Sequence, residues 1–460
     1  PHRQHHPDMR FSALTLFAGA CAAASLPAIK VKGNAFYNSE SGDRFYIRGV
    51  DYQPGGSSNL TDPLGDAEIC GRDIPYFQEL GLNTIRVYSV DNTLDHSECM
   101  EKLADAGIYL ILDLNTPDAS LSRHDPGCSY NAVYLNEVFS TVDEFANYTN
   151  VLGFFAANEL VNNEATLDTA PYIKAVVRDT KKYISARNYR QIPVGYSAAD
   201  VSSLRKELAD YLNCGNDSNA RIDMLGVNDY SWCGSSSFTT SGYSEKVKMY
   251  TGYSVPIFLS EYGCNQVPGS RPFTEVKSIY STQMSSVFSG GLVYQYTEDS
   301  SKYGLVQVES DTSVETLTDF DNLREELNST EDPTGTAGAS TSNSISSCPT
   351  NWNFSITVPT APDGLAKLLK NGATGGNGFD ASTQESCGDD AYYVSSTVKT
   401  SSTQSSNHST AVSSSSSKAT STSSARATSS SSSTSKAIAA QLKTHGFTAV
   451  LTFIAAVFFY

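Results

Sequence analysis

Between residues 28 and 328 the chain alternates apolar runs of strand length with longer stretches whose apolar positions recur every three or four residues. The runs predict eight strands, at 45–50, 84–90, 109–114, 152–159, 192–197, 224–228, 257–262 and 291–297. The helical pattern predicts helices at 68–80, 94–106, 134–148, 171–186 and 274–288. Strands that are apolar along their whole length are covered on both faces, as in a parallel sheet under helices. Eight such units in about 300 residues fit an α/β fold, the closed (β/α)8 TIM barrel. The rival is an open doubly wound sheet, whose first strand is followed by a Gly-rich phosphate turn. Here the first strand runs into Asp51-Tyr52-Gln53-Pro54-Gly55-Gly56, which lacks that spacing. The barrel is favoured.

Two of the apolar runs stop at a carboxylate: Leu152-Gly153-Phe154-Phe155-Ala156-Ala157-Asn158-Glu159 and Val255-Pro256-Ile257-Phe258-Leu259-Ser260-Glu261. The C-terminal strand ends of a β/α barrel carry its chemistry. Paired carboxylates there suit glycosidic bond cleavage, one protonating the leaving oxygen while the other attacks the anomeric carbon from the opposite face. A single glutamate in such a place is as readily a strand cap. Two of them, the first preceded by Asn158, favour the catalytic reading. The other strand ends add Gln53, Tyr88, Asp113, Tyr230, Trp232 and Tyr294. Each alone can be a structural hydrogen-bonding residue, but their convergence on one face argues for a ligand.

Charge narrows the partners. A net charge of -17 with few basic clusters argues against nucleic acid or anionic lipid as the main partner. The 26 tyrosines suit stacking on sugar rings, although tyrosine also fills ordinary half-buried positions. No cluster of His, Cys and carboxylates has ligand spacing, so neither a metal nor an organic cofactor is expected.

Both chain ends read as targeting signals. Arg10, the apolar segment from Phe11 to Ala20 and the small residues Ala22-Ala23-Ala24 make a secretory signal within 1–24, too short for a comfortable membrane span. Residues before Met9, with His2, His5 and His6, are expected to be an upstream extension rather than a metal site. Of the nine cysteines, Cys21 lies in the signal, which leaves an even number for disulfides in an oxidising compartment. Sequons at Asn59, Asn147, Asn216, Asn328, Asn353 and Asn407 agree with secretion. At the other end, 436–460 combines a polar spacer with an apolar tail, and small residues precede it. That is a GPI-anchor signal with its ω-site near Ser433; a short single-span anchor is the alternative. Residues 329–394 read as a linker and a Cys-containing extension that holds Cys348, Trp352 and Cys387, with Cys348 placed to reach back to the barrel. Residues 395–435 are dominated by Ser, Thr and Ala, cannot bury a core, and read as an O-glycosylated stalk.

With those residues in view, the chain resembles the fungal β-1,3-glucanosyltransferases of glycoside hydrolase family 72, glucan-elongating cell-wall enzymes. The resemblance spans 29–327 and is carried by Phe45-Tyr46-Ile47-Arg48-Gly49-Val50-Asp51-Tyr52-Gln53-Pro54-Gly55-Gly56, by Leu82-Asn83-Thr84-Ile85-Arg86-Val87-Tyr88 and by Leu259-Ser260-Glu261-Tyr262-Gly263-Cys264-Asn265. It implies a (β/α)8 barrel in which Glu159 is the acid/base and Glu261 the nucleophile. It places Gln53, Tyr88, Asp113, Asn158, Tyr230 and Tyr294 in the glucan-binding cleft. It also implies the bridges Cys70–Cys99, Cys214–Cys348 and Cys233–Cys264, and leaves Cys128 and Cys387 without a given partner. The chain is similar to the subgroup that lacks a C-terminal Cys-rich carbohydrate-binding module. Its implied partners are β-1,3-glucan donor and acceptor chains and a GPI lipid in the outer leaflet, with the protein acting as a monomer.

The implied reaction cleaves a β-1,3-glucan internally and transfers the new reducing end to the non-reducing end of another chain. Glu261 must then be ionised, and Glu159 must carry a proton. Residue types alone do not distinguish a sugar acceptor from water, so a retaining endo-β-1,3-glucanase is the alternative. A wall-anchored glucan-binding glycoprotein without catalysis is the reading from another class, and the two glutamates at matching strand ends argue against it.

Overall fold

The computed structural model describes residues 26–56 and 59–384. The secretory signal with Cys21, the stalk with Asn407, the GPI signal with Ser433, and Cys387 lie outside the described residues.

A small antiparallel sheet comes first: β1 (Ile29–Lys32), β2 (Ala35–Asn38) and β3 (Arg44–Phe45). Eight parallel strands then close a barrel: β4 (Ile47–Asp51), β5 (Thr84–Val87), β6 (Tyr109–Asp113), β7 (Val151–Asn158), β8 (Val194–Ala199), β9 (Leu225–Asp229), β10 (Ile257–Tyr262) and β11 (Phe288–Val293). Each pairs with the next, and β11 returns to β4 with Gly290 opposite Ile47 and Val293 opposite Val50. All C-terminal strand ends therefore open on one face, the face that carries function in this architecture. Deeper in, Ile47, Ile111, Leu152, Phe155, Met224 and Phe258 fill the barrel. Ile29 and Phe36 join that cluster, so the small sheet packs across the N-terminal mouth.

The surrounding helices are α1 (Ala67–Glu79), α2 (Ser97–Asp105), α3 (Pro126–Ser129), α4 (Ala132–Phe145), α5 (Ala170–Ala186), α6 (Arg205–Leu212), α7 (Tyr243–Tyr250), α8 (Glu275–Ile279), α9 (Thr282–Ser285), α10 (Thr318–Asn328) and α11 (Leu365–Asn371). A hairpin, β12 (Val306–Ser310) and β13 (Ser313–Thr316), precedes α10.

The predicted helix 274–288 and the predicted strand 291–297 are both corrected. Ser281 is extended (φ -68, ψ 158) and its side chain accepts from the Met284 amide, so one helix stops and a second begins. The last strand then starts at Phe288, ahead of the predicted start, and runs through Gly290-Gly291. Glycines weaken a strand by composition, but Gly290 sits at φ +86 where an added Cβ would lie 2.0 Å from the Ile47 carbonyl oxygen. The close approach of β4 requires the glycine that hides the strand.

Beyond α10 the chain runs up the outside of the barrel as a strap. Arg44 donates to the carbonyls of Thr336 and Ala337, and Asn34 Nδ2 to that of Gly338. Higher up, Trp352 Nε1 donates to Glu207 at 2.9 Å, and Arg178 to the Pro359 carbonyl at 2.6 Å. Leu365 and Leu368 of α11 are buried. Thr383 and Gln384 reach the loop that follows β6 on the catalytic face. The strap shows little apolar periodicity because barrel side chains hold much of it through its backbone carbonyls and amides.

The bridges Cys70–Cys99, Cys214–Cys348 and Cys233–Cys264 form, with Cα separations of 6.1, 5.2 and 5.0 Å. Cys214–Cys348 ties the strap to the end of α6. Cys128 is also disulfide-bonded. Asn59, Asn147, Asn216, Asn328 and Asn353 are all exposed. Among the described residues no helix is long and apolar enough to cross a membrane, and no group of His, Cys, Asp and Glu could hold a metal ion.

Candidate active site

Glu261 lies near the end of β10, where the pairing with β9 shifts register between Leu259 and Glu261. Such an irregularity interrupts the side-chain alternation. Ser260 and Glu261 consequently both meet partners inside the barrel mouth. Glu261 Oε1 accepts from the Tyr88 hydroxyl at 2.8 Å and from Arg86 at 3.2 Å, and Oε2 accepts from the Tyr230 hydroxyl at 2.7 Å. Arg86 is wholly buried on β5 and forks onto Asp113 at 3.0 and 2.9 Å. Its guanidinium also lies over the Tyr88 ring, 4.1 Å from the centroid. One buried cation thus serves two carboxylates.

Glu159 sits one residue past β7 and is half-buried. Its Oε1 accepts from Asn228 Nδ2 at 2.8 Å, and the same nitrogen reaches Asn158 Oδ1 at 3.2 Å. The hydroxyls of Ser197 and Ser260 donate to Asn228 Oδ1 at 3.0 and 2.7 Å, which fixes the amide with its nitrogen toward Glu159. Gly226 makes this possible, since a Cβ there would lie 2.4 Å from the Ser260 hydroxyl oxygen.

Burial pushes the Glu261 carboxyl up to about 7; Arg86 opposes this, the charge of Glu159 adds to it, and the Tyr230 and Tyr88 hydroxyls oppose it. A nucleophile needs its charge, so this value conflicts with the catalytic reading until the cause is considered. Three donors, Arg86, Tyr88 and Tyr230, face Glu261, and each favours its charged form. Burial, then the charge of Glu261, also raises the Tyr230 phenol well above its usual range, which keeps it a donor.

Tyr88, Tyr230 and Tyr294 come together as edge-on rings, Tyr294 lying 6.5 Å from Tyr88 and 6.2 Å from Tyr230. Asp113 is engaged by Arg86, and Asn158 ends β7 beside Glu159. Gln53 is buried, with Nε2 on the Thr61 carbonyl and Oε1 taking the Tyr88 and Ser89 amides. It braces the loops after β4 and β5. Trp232 donates to Thr274 and packs on Tyr243 instead of joining the site.

Sequence reasoning missed four residues. Arg86 is a charge within an apolar strand, and Asn228 is a polar residue in the run of β9; both were readable as inward-facing exceptions. Asp51, at the end of β4, is wholly buried, and burial, with Arg86 opposing, holds its carboxyl well above the usual range. Tyr303, from the loop before β12, packs 5.2 Å from Tyr294 and had no periodic signal.

Comparisons with known proteins bear on this site. The glucanosyltransferase family of glycoside hydrolases 72 matches residues 18–331. The chain is 60% identical over 385 residues to the 1,3-beta-glucanosyltransferase GAS5 of Saccharomyces cerevisiae, covering 82% of this chain and 79% of that one. It is 55% identical over 380 residues to the 1,3-beta-glucanosyltransferase PGA4 of Candida albicans, covering 82% and 84%. Among solved structures it is similar to a point mutant of Saccharomyces cerevisiae Gas2p in complex with laminaritetraose and laminaripentaose, at 42% identity and TM-score 0.68, covering 74% of this chain and 75% of that one. Because these matches run through the whole barrel and include both glutamate-bearing strand ends, the chain belongs to glycoside hydrolase family 72, the glucanosyltransferases.

Proposed function

We propose that this protein is a retaining β-1,3-glucanosyltransferase, which cleaves a β-1,3-glucan internally and joins the new reducing end to the non-reducing end of a second chain. The observation that carries the reading is the unlike pair of carboxylates: Glu261 gripped by Tyr88, Arg86 and Tyr230, and Glu159 held by Asn228. The names of the relatives and the oligosaccharides bound by Gas2p supply the linkage.

In this mechanism Glu261 attacks the anomeric carbon as the glycosidic bond breaks, and Glu159 gives its proton to the departing oxygen. In the resulting ester Glu261 is neutral, so Glu159 is free to act as base. It takes the proton of an acceptor 3-hydroxyl, whose oxygen attacks the anomeric carbon and releases Glu261. Asn158 hydrogen-bonds the sugar 2-hydroxyl, a contact that strengthens in the transition state. Gln53, Tyr88, Asp113, Tyr230 and Tyr294 shape the cleft. The catalytic domain is 28–328, followed by the extension, the stalk and the GPI signal. The disulfides and exposed sequons among the described residues support an enzyme held at the outer face of the membrane.

Incubation with a reduced β-1,3-glucan oligomer, followed by chromatography, tests the reading. Products longer than the substrate are expected. Shorter products alone would establish an endoglucanase instead.

A further inference from the structure

The backbone that carries Glu159 is in the left-handed region, at φ +46. A residue with a long side chain stays there only when its surroundings over-determine it. The Glu159 amide donates to the Ser197 carbonyl at 2.8 Å, and two residues on, the Val161 amide donates to the Tyr196 hydroxyl at 3.0 Å. The carbonyls are held from the other side. Arg123 donates from its NH2 group to the Glu159 carbonyl at 2.9 Å and from Nε to the Leu160 carbonyl at 3.2 Å. A single guanidinium therefore grips both peptide units of the turn that aims the carboxylate, through charge-assisted bonds.

Arg123 belongs to the loop after β6, and the far end of the chain fastens that loop. The Thr383 amide donates to the Asp118 carbonyl at 3.0 Å, and Thr383 itself is buried. Gln384 Nε2 donates to the Pro117 carbonyl at 2.7 Å and to the Ser120 hydroxyl at 2.8 Å. The Ser122 amide donates to the Ser129 hydroxyl at 2.8 Å, closing the other side. An arginine on carbonyl oxygens is often a plain loop fastener. Here the fastened residue is itself strained and carries the proton-transfer group.

We propose that Arg123, backed by Gln384 of the strap, is a positioning residue for Glu159 that sets where its carboxyl meets the leaving and entering oxygens. The proposal rests on the reading of Glu159 as the acid/base. Without Arg123 the turn relaxes from its left-handed conformation and the carboxyl is displaced. A displacement of about 1 Å costs on the order of a hundredfold in rate.

The test compares two donors on the full-length enzyme: a β-1,3-glucan oligomer, whose leaving oxygen needs a proton, and a dinitrophenyl β-laminaribioside, whose leaving group does not. For Arg123→Met, kcat on the glucan should fall about a hundredfold with KM within about twofold. The burst of dinitrophenolate should stay within about threefold of the parent enzyme. Arg123→Lys, which keeps a donor for one carbonyl, should recover about tenfold of the loss on glucan, and Gln384→Ala should lower it by about threefold. Equal losses on both donors, or a change in KM alone, would overturn the proposal. If Arg123→Met does not fold, Arg123→Lys and Gln384→Ala carry the same donor comparison. Glu159→Gln serves as the reference. Should it lose glucan turnover and the dinitrophenolate burst equally, the acid/base reading itself fails, a result separate from any obtained with Arg123.

Discussion

The Tyr230 hydroxyl donates to Glu261 Oε2 at 2.7 Å, while Tyr88 and Arg86 occupy Oε1. The two oxygens of the proposed nucleophile are thus held from different strand ends. The Tyr230 bond pulls the Glu261 carboxyl down against the burial that raises it. Tyr230→Phe should therefore move the acidic limb of kcat/KM to higher pH, because Glu261 then ionises later. The rate above that limb should fall by about tenfold, the loss of one hydrogen bond to a charged group. A pH–rate profile with an aryl donor reads both effects.

Glu159→Gln should move the same limb the opposite way. The charge of Glu159 raises Glu261, and the amide removes it. The acidic limb, measured with the aryl donor so that no proton donor is required, should shift to lower pH. The glycosyl-enzyme should also accumulate on Glu261, visible by intact-protein mass spectrometry, since no base remains to activate the acceptor. Azide, which needs no deprotonation, should restore turnover for Glu159→Ala. An adduct appearing on Glu261→Gln instead would reverse the two assignments.

Asn228 connects the carboxylates through Ser260, and its loss has two separable effects. Asn228→Ala frees Glu159 from its amide donor and leaves one of the Ser197 and Ser260 hydroxyls, which lie 3.0 Å apart, without an acceptor. Stability should fall by about 1–3 kcal/mol, the cost of unsatisfied buried groups. Activity on glucan should fall further than unfolding at the assay temperature explains. Chemical denaturation and kcat measured on the same preparation separate the two.

The legibility of this site follows from how each part is encoded. The barrel was legible because its strands are buried on both faces, and the glutamates were legible because each ends an apolar run. Arg86 and Asn228 were readable but passed over, since a lone polar residue inside a strand also fits a register error. Tyr303 and Arg123 were not readable. Both act from loops, where position is set by long-range contacts such as Gln384 on Pro117 and not by any local period. Gln53 lies beside Tyr88 past the end of β4, yet its polar atoms turn inward to backbone, a distinction that residue type does not carry. The strap was hidden because many of its contacts run through backbone carbonyls and amides, which every sequence has.

The last prediction concerns stability against pH. His96 is buried between Asp62, 2.8 Å from Nε2, and Glu144, 3.0 Å from Nδ1, with its ring 4.6 Å from that of Phe145. Burial works against its charge, but the hydrogen bonds and charges of Asp62 and Glu144 outweigh burial and push it up to about 9 from 6.5. Asp95, next to it in the chain, faces it from the exposed side. A histidine raised in the folded state contributes stability that is fully present below pH 6.5 and lost as pH rises through about 9. The contribution is about 2–3 kcal/mol at its fullest. Asp62 also takes the Leu64, Gly65 and Asp91 amides, so the ion pair with His96 ties the loops after β4 and β5 together. Denaturation midpoints should therefore decline more steeply between pH 7 and 9 for the parent chain than for His96→Gln, which starts lower. An equal decline in both proteins would place the alkaline sensitivity elsewhere and leave His96 a neutral hydrogen-bonding residue.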